Sequence, residues 1–456
     1  MSLKIQSKLI SDYENGKARV APSKNGSSFH DPAFASNKTQ PIHRWVPWIA
    51  GFSSDFVSHA IKQHLPIKGT VLDPFSGVGT TLVESVLACN NAVGFEINPY
   101  PCMASRIKAT AYQIDELRLR HYVSKFISYY HEAVASNAEP ISKPPESFKT
   151  RSDFYSPLVM RKVLRVFDYI NCIEDESIHD VFRLAFASTM VKFSNYSYEP
   201  SLGRRISSGK SDILDFAVGE EIYSKLTEMC KDILWMKHKV SCIEPPTVKV
   251  INDSFFNYAE FLEEGSIDLL ITSPPYLNNY HYNRNTRPQL YWLDFVKSTN
   301  DMKKLEHANF GKYWQTCREE DCIDLSFMLP DSDIVERLEE IRGLNQEKGI
   351  YGGNGWANYA ASYFNDCYLF AKGINYVMRP GSTALVVLGN SILQGVHVPT
   401  DVYFGKIAES VGLELVDIHV PRATRIGNSI IQSEVRVGKA KAKEQLYESV
   451  VELRKL

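Results

Sequence analysis

The sequence is poor in several features that would place a chain in one of the special protein classes. It has no apolar run long enough to span a bilayer and no apolar signal core near its start, so we predict a soluble, cytoplasmic protein. The net charge is −2, which excludes a strongly basic protein and restricts any nucleic-acid surface to a local patch.

Cysteine is also sparse for a chain of this length. The 456 residues include eight cysteines, and Cys317 and Cys322 form the only close pair. Neither a second cysteine pair nor a histidine pair completes a zinc-binding spacing. We therefore predict reduced thiols, no disulfide framework and no metal site.

A glycine-containing turn joins a short apolar strand to an amphipathic helix within residues 70–89. Gly77 and Gly79 allow the backbone to approach a ligand without a Cβ in the way. The next strand ends in Glu96, where a Rossmann-like sheet places a carboxylate that accepts hydrogen bonds from ribose hydroxyls. A dinucleotide fold would have a third glycine at the position of Leu82, and the loop has no basic residue. The loop therefore suits a ligand that has no pyrophosphate.

A second motif, Thr272-Ser273-Pro274-Pro275-Tyr276, follows a predicted buried strand. The two prolines donate no N–H, so the backbone carbonyls there are free to accept hydrogen bonds. Together with the serine hydroxyl and the flat tyrosine ring, these carbonyls suit a planar ring that carries an exocyclic amino group. The structural alternative is a proline turn against which the tyrosine merely packs.

Both motifs closely resemble those of the S-adenosylmethionine-dependent amino-group DNA methyltransferases of restriction-modification or phage-defence systems. The resemblance implies S-adenosylmethionine as cofactor and double-stranded DNA as partner. It places Asp73 near the sulfonium and amino groups, Glu96 on the ribose and Asp253 beside the adenine amino group; a helix N-cap is the alternative role for Asp253. The implied cofactor-binding residues are Asp73, Pro74, Phe75, Ser76, Gly77, Gly79, Thr80, Thr81, Glu96, Asp253 and Thr272. The implied catalytic residues are Ser273, Pro274, Pro275 and Tyr276.

Strand signals form two blocks with helical sequence between them, so we predict an α/β fold with a mostly parallel sheet. The resemblance makes this a Rossmann-like class I methyltransferase sheet with a C-terminal antiparallel hairpin, for which we predict the strands Glu414–Ile418 and Ser433–Val437. Two insertions interrupt the sheet, and either is a candidate for reading DNA. We predict a loosely ordered N-terminal arm (1–40), a split catalytic domain (41–102 and 246–456), a helical insertion as candidate target-recognition region (103–245) and a second insertion (296–358).

Basic residues interleaved with aromatic and amide side chains occur in the helical insertion, just after the catalytic motif and in the C-terminal turn. Such groups contact phosphates and base edges or fill the gap left by a flipped base. The alternatives are a solvated surface, or helix capping and pairing with acids such as Asp294. The candidate DNA contacts are Arg204, Arg205, Arg284, Arg287, Arg422 and Arg425.

The acceptor base follows less directly from the sequence. Ser-Pro-Pro-Tyr is usual for cytosine-N4 enzymes, whereas the order of motifs, cofactor loop first, is more familiar from adenine-N6 enzymes. We predict cytosine N4, with adenine N6 as the alternative. An RNA or protein methyltransferase usually has Asp or Asn at the position of Ser273, and a catalytically silent DNA-binding partner would not need both motifs intact. Cys102 follows the ribose acid and not the catalytic strand, so we predict no role as a carbon-5 nucleophile. Any restriction endonuclease or defence subunit would be a separate chain.

Overall fold

The computed structural model describes residues 37–48, 51–136, 138–198, 201–277, 282–423 and 446–456. Most of the predicted N-terminal arm and the whole of Ser433–Val437 therefore lie outside the described residues.

A seven-stranded sheet forms the centre of the molecule. Its strands, numbered along the chain, are β1 (Thr70–Asp73), β2 (Asn91–Phe95), β3 (Val248–Ile251), β4 (Ile267–Thr272), β5 (Met378–Gly389), β6 (Leu413–Ala423) and β7 (Tyr447–Lys455). They lie in the order β6-β7-β5-β4-β1-β2-β3, and only β7 is antiparallel to its neighbours. This confirms the predicted class I methyltransferase sheet. The reversal of strand order between β1 and β4 places their carboxyl ends at a switch point, where such sheets bind ligands.

The antiparallel edge has a different second strand from the one predicted. β6 pairs with β7, with Leu413 opposite Lys455, and β7 also pairs with β5. A strand between two others is covered on both faces, and Val450, Val451 and Leu453 are completely buried. The adjacent apolar residues Val450 and Val451 fit a strand that is covered on both faces better than the alternation of charged and apolar side chains in Ser433–Val437 does.

Helices cover both faces of the sheet, and three apolar clusters lie between the layers. The cluster under the helical insertion is continuous with the helix after the glycine loop, since it includes Leu82, Phe126 and Phe182. The helices before β3 are α1 (Ser54–His64), α2 (Thr80–Leu87), α3 (Pro99–Ala109), α4 (Glu116–Ala135), α5 (Pro157–Ile170), α6 (Glu176–Thr189) and α7 (Val218–Lys239). They are followed by α8 (Tyr258–Phe261), α9 (Tyr282–Asn285), α10 (Arg287–Trp292), α11 (Thr299–His307), α12 (Trp314–Cys317), α13 (Ile334–Arg342), α14 (Gly353–Val377) and α15 (Thr400–Ser410).

A short antiparallel hairpin, which we call the insertion hairpin, lies within the helical insertion. It pairs Tyr196–Tyr198 with Leu202–Arg204. The predicted division into domains stays a prediction, because the helices of the insertion share one core with the helices on the sheet. Within the described residues, the search for a helix long and apolar enough to cross a membrane found none.

The prediction that all thiols are reduced is wrong for one pair. Cys89 and Cys242 form a disulfide. Cys89 ends the turn that leads into β2, and Cys242 lies shortly before β3. Because β2 and β3 are parallel neighbours, the segments that enter them lie side by side, and this proximity is not visible in the sequence. The free cysteines are Cys102, Cys172, Cys230, Cys317, Cys322 and Cys367.

The disulfide closes a loop that contains all the helices of the helical insertion, with a sequence separation of 153 residues. We expect Cys242→Ser to lower the free energy of unfolding by about 2–4 kcal/mol, because the cross-link restricts the unfolded chain. Denaturant unfolding without reductant measures this, with Cys172→Ser, an exposed free thiol, as control. Equal stability of wild type and Cys242→Ser under these conditions would contradict the cross-link.

Candidate active site

The glycine turn between β1 and α2 has the conformation that its sequence predicts. Gly77 and Gly79 have φ values of 49° and 82°, in the left-handed region that favours glycine. A Cβ on Gly79 would lie 2.9 Å from the Cα of Ser105, so a side chain would collide with the backbone of α3. The turn therefore presents bare backbone at the carboxyl edge of the sheet.

Glu96 fastens this turn from the next strand. Its carboxylate accepts hydrogen bonds from the backbone N–H of Gly77 at 3.0 Å and of Asn98 at 2.8 Å. Burial raises the pKa of Glu96 to about 7, although both hydrogen bonds act in the opposite direction. The structure thus brings together the loop and the acid that the sequence analysis assigned to one site.

Asp73 connects the glycine turn to the catalytic motif. Its side chain is 1% exposed and accepts hydrogen bonds from the Thr272 hydroxyl at 2.6 Å and from the Phe75 backbone N–H at 3.1 Å. Burial raises the pKa of Asp73 to about 6, against the effect of these hydrogen bonds. Because β1 and β4 are parallel neighbours, this contact fixes the ends of the two motif-bearing strands relative to one another. The placement of Asp73 beside a sulfonium stays a prediction.

One narrow cleft of about 90 Å³ contains residues from both motifs. Of the predicted site residues, those that line it are Pro74, Phe75, Gly77, Glu96, Asp253, Ser273 and Pro275. Other walls come from Trp48, Asn283 and Phe310. The remaining predicted residues do not line the cleft: Asp73, Ser76, Gly79, Thr80, Thr81, Thr272, Pro274 and Tyr276. Of these, Thr81 is completely buried and its hydroxyl donates to the carbonyl of Ile271 at 3.3 Å.

The two roles considered for Asp253 are now distinguished in part. The N-cap of the short helix that follows is Ser254, whose hydroxyl accepts from the Phe256 backbone N–H. The N-cap role predicted as the alternative for Asp253 is therefore wrong. The Asp253 carboxylate accepts hydrogen bonds from the backbone N–H of Ser254 at 2.6 Å and from the Asn257 amide at 2.9 Å, and it lines the cleft.

The catalytic motif has a partner that the sequence analysis missed. The Ser273 hydroxyl donates to the Tyr276 hydroxyl at 3.4 Å, and the latter donates to the Glu448 carboxylate on β7 at 3.3 Å. The tyrosine ring packs on Gly389, where a Cβ would come within 3.0 Å of it. Burial, followed by the nearby Glu448 charge, raises the pKa of Tyr276 well above 10. The tyrosine is therefore a neutral donor whose ring is held in place.

A second residue that the sequence analysis missed lies beneath the glycine turn. Lys108 of α3 is 1% exposed, and its Nζ donates to the carbonyl of Val78 at 2.6 Å. Burial lowers the pKa of Lys108 to about 7, with a smaller contribution from Lys225. Burying an amine costs free energy that burying an apolar side chain of the same size would not. We therefore infer that the lysine serves to hold the glycine turn through this contact.

The segment before the glycine turn is anchored to the helical insertion. Asp232 of α7 is 2% exposed and accepts hydrogen bonds from the Ile42 backbone, the Arg44 guanidinium and the Trp45 indole. This segment continues to Trp48, whose indole lies against Gly77 and lines the cleft. The insertion thus positions one wall of the cleft.

The predicted DNA contacts lie in two different concave surfaces. An open concavity of about 610 Å³, which we call the arginine groove, is lined by Arg151, Arg204, Arg284 and Arg287, and Glu306 is the only acid among the described residues of its lining. Arg287 donates to the Lys149 carbonyl at 2.9 Å and lies over the rings of Phe148 and Tyr291. The predicted alternative, pairing with Asp294, is wrong within the described residues, because Asp294 pairs with Lys297.

Arg205 is not in the arginine groove. It lines a separate cavity, and its Nε donates to the Ser211 carbonyl at 2.9 Å. Arg425 and the side chain of Arg422 lie outside the described part of the chain, so their contacts with DNA stay predictions.

Comparison with known proteins gives matches over most of the chain. A family model described as a DNA methylase of the N6/N4 type matches residues 16–106, which include the glycine turn and Glu96. The Type II methyltransferase M.BsoBI of Geobacillus stearothermophilus is 24% identical over 87% of this chain and 83% of its own length. M.AvaI of Anabaena variabilis is 24% identical over 87% and 84%, and M.MvaI of Kocuria varians is 23% identical over 82% of each. Among solved structures, TrmN from Thermus thermophilus aligns with 89% of the chain at 9% identity and a TM-score of 0.28, too distant a likeness to add to the strand order.

The strand order and the cleft at its switch point define a class I methyltransferase. The family model and the relatives make the assignment narrower. The chain is similar to amino-group DNA methyltransferases of the N6/N4 type and, over most of its length, to modification enzymes of type II restriction systems. Methyltransferases of this kind use S-adenosylmethionine.

We expect Lys108→Met to weaken binding of S-adenosylmethionine about ten-fold, because the Val78 carbonyl loses its donor and the turn relaxes. The free energy of unfolding should change by less than about 1 kcal/mol, since the same substitution removes a buried amine. Calorimetric titration and denaturant unfolding measure the two quantities. Lys225→Met is the matched control, because Lys225 is also largely buried but donates to the Arg44 backbone carbonyl and the Glu228 carboxylate. Unchanged affinity in Lys108→Met would show that the turn does not depend on the lysine.

Proposed function

We propose that this chain transfers a methyl group from S-adenosylmethionine to the exocyclic amino group of a base flipped out of double-stranded DNA, with cytosine N4 as the acceptor. The observation that carries the proposal is the single cleft that contains Gly77 and Glu96 from the cofactor motif together with Ser273 and Pro275 from the catalytic motif. A methyl donor and an amino acceptor must meet within one such site, because the transfer is direct and depends on positioning.

The residues of the first motif fit the donor. The left-handed glycines leave space where a Cβ would stand, and Glu96 offers carboxylate oxygens to ribose hydroxyls. Asp253, which also lines the cleft, offers an acceptor for an adenine amino group. When bound, S-adenosylmethionine supplies an electrophilic methyl group.

The residues of the second motif fit the acceptor. Tyr276 offers a ring on which a flipped base stacks, and its hydroxyl is held between Ser273 and Glu448. The Ser273 hydroxyl and the Pro274 carbonyl accept hydrogen bonds from the amino group of the base. These contacts draw the nitrogen lone pair out of conjugation with the ring and aim it at the methyl group. Extruding the base costs roughly a few kcal/mol, which contacts with the DNA must offset.

The arginine groove supports a route for the DNA. Arg151, Arg204 and Arg284 have no ion-pair partner among the residues that the structure describes, and they converge on one concave surface. Arginines in such an arrangement neutralise phosphates and fix the register of a duplex. The groove draws on the insertion hairpin and on α9, the helix that follows the catalytic motif, so a duplex bound there lies next to the cleft.

Adenine N6 is the second candidate, and the order of the motifs favours it. Cytosine N4 is favoured by the serine before the two prolines, since Ser273 lines the cleft. The related Type II methyltransferases support a place in a restriction system, with the endonuclease as a separate chain and the bacterial cytoplasm as the site of action.

Mass spectrometry of nucleosides from plasmid DNA expressed with this protein tests the proposal. We expect 4-methylcytosine, whereas 6-methyladenine would transfer the proposal to the second candidate. Tyr276→Ala should lose turnover on the order of 100-fold with cofactor binding kept, because the base is no longer held in line. Tyr276→Phe keeps the ring and is the matched control. DNA that carries neither mark, although the protein binds it and S-adenosylmethionine, would contradict the proposed reaction.

Cofactor affinity should depend on pH through Glu96. Ribose hydroxyls donate to the ionised carboxylate, so binding favours the charged form of a group whose pKa is about 7 in the free protein. We expect affinity to be about ten-fold weaker at pH 6 than at pH 8. Glu96→Gln should bind more weakly with a flatter profile, and calorimetric titration across this range measures both. A wild-type affinity that does not change with pH would separate Glu96 from the ribose.

The free energy of unfolding of the free protein should fall as the pH rises, whereas cofactor affinity should increase. Because burial raises the pKa of Asp73 and Glu96, the folded chain binds protons more tightly than the unfolded chain does. Their ionisation therefore costs folding free energy as the pH rises from about the unfolded pKa values near 4 to about 7.

A further inference from the structure

A second cavity lies beside the cleft and belongs to neither motif. It has a volume of about 620 Å³, and Trp48 and Tyr282 line both the cavity and the cleft. The rings of these two residues are nearly parallel, with an interplanar angle of 16° and centroids 6.4 Å apart. Further walls come from the end of α6, from the insertion hairpin and from α10. None of the catalytic residues Ser273 to Tyr276 lines it.

The charge of the cavity lining has one sign. Lys38, Arg44, Lys192, Arg205 and Lys210 line it, and none of the described residues that line it is an aspartate or a glutamate. Two of these cations form ion pairs with acids that do not line the cavity: Arg44 pairs with Asp232 and Lys192 with Glu221. The structure gives Lys38 no ion pair with any residue it describes. The lining therefore favours an anion at the mouth of the cavity.

A residue of the cavity lining has a buried hydrogen-bond acceptor without a partner. Gln289 of α10 is 4% exposed, and its amide N–H groups donate to the Ala187 carbonyl and the Tyr198 hydroxyl, both at 3.3 Å. Its amide oxygen has no partner within the described structure, and neither has the buried hydroxyl oxygen of Ser197. Because both side-chain donors are engaged, the buried amide oxygen is the atom of Gln289 left to accept a hydrogen bond from a bound group.

We propose that this cavity binds one extrahelical nucleotide of the DNA, in a position where it cannot be methylated. The base stacks on the aromatic walls, its amino group donates to the Gln289 amide oxygen, and its phosphate faces Lys38 at the mouth. The inference rests on the proposed function for the identity of the polymer. The volume holds a base, a sugar and a phosphate, and the shared Trp48 and Tyr282 walls place that nucleotide next to the catalytic cleft.

The Gln289 amide oxygen predicts a preference among bases. Cytosine carries an exocyclic amino group that donates to Gln289, whereas thymine carries a carbonyl oxygen at that position. Nuclear magnetic resonance titration of the protein, saturated with S-adenosylhomocysteine, with dCMP and with TMP measures this preference. We expect the wild-type protein to bind dCMP at least five-fold more tightly than TMP. Gln289→Leu should bind dCMP about ten-fold more weakly and lose the preference for dCMP over TMP. Ser273→Ala should bind dCMP with the affinity of the wild-type protein.

Charge variants keep the test independent of the buried glutamine. Lys38→Glu should weaken both nucleotides about three-fold or more, and Lys125→Glu, an exposed lysine that does not line the cavity, should change neither. Wild-type affinity in both Gln289→Leu and Lys38→Glu would overturn the proposal. So would loss of dCMP binding in Ser273→Ala, because that result would place the nucleotide in the catalytic cleft.

A kinetic measurement connects the cavity to DNA. Gln289→Leu should lower kcat/KM for DNA several-fold and leave KM for S-adenosylmethionine unchanged. An unchanged kcat/KM for DNA would mean that the cavity binds only free nucleotides, and it would overturn the proposal. The two proposals fail separately. A wild-type protein that binds no S-adenosylhomocysteine and methylates no DNA contradicts the proposed function, whereas nucleotide binding can still be titrated in that protein.

Discussion

The hydrogen bond from the Thr272 hydroxyl to the buried Asp73 carboxylate is the contact on which the rest of the site depends. Each residue ends a strand, and each strand carries one of the two motifs. A 2.6 Å bond to a carboxylate that is 1% exposed is short and poorly screened, so it holds the ends of β1 and β4 in one register. Without it, backbone pairing between β1 and β4 would still align the strands, but the glycine turn and the Ser-Pro-Pro-Tyr segment would not share a fixed reference point.

Other buried ionisable groups contact the segments that form the cleft. Lys108, Asp232 and Glu96 are each placed against backbone groups or side chains that shape the cleft, and each would be cheaper to bury as an apolar side chain. Their burial moves the pKa of Lys108 down and that of Glu96 up, so both lie near neutrality. A site held together by such groups gains directional contacts that apolar packing cannot supply, and in return it becomes sensitive to pH.

The parts of the site that could be predicted from sequence are those that a few consecutive residues determine. The glycine turn, the acid at the end of β2 and the proline motif each follow from local backbone requirements, and the sheet follows from alternating strand and helix signals. Glu448 could not be found in this way, since it is 172 residues from Tyr276 and follows no pattern of its own. The same holds for the Cys89–Cys242 disulfide. Such contacts depend on which strands become neighbours. The final strand of the sheet was predicted in the wrong segment, because its position between β5 and β6 could not be inferred from its composition alone.

The α9 helix joins the cofactor side of the molecule to its basic surfaces. On one side, the Asn98 amide donates to Asn283 at 3.1 Å and to Thr286 at 2.8 Å, and the Asn98 backbone donates to the carboxylate of Glu96. On the other side, Asn285 accepts from the Tyr198 hydroxyl and the Leu202 backbone of the insertion hairpin.

The hairpin, in turn, separates the arginine groove from the nucleotide-sized cavity, because Tyr196 lines both. A duplex bound in the groove would therefore contact an element that is connected by hydrogen bonds, through α9 and Asn98, to the acid that fastens the glycine turn. This continuity connects the helical insertion, which lies between β2 and β3, to the ends of β1 and β4. Its hairpin contacts α9, whose Tyr282 and Asn283 line the cleft, and its Asp232 anchors the segment that leads to Trp48 on the cleft wall. Coupling between DNA and cofactor would then need no hinge between separate domains, because the insertion and the sheet share one core.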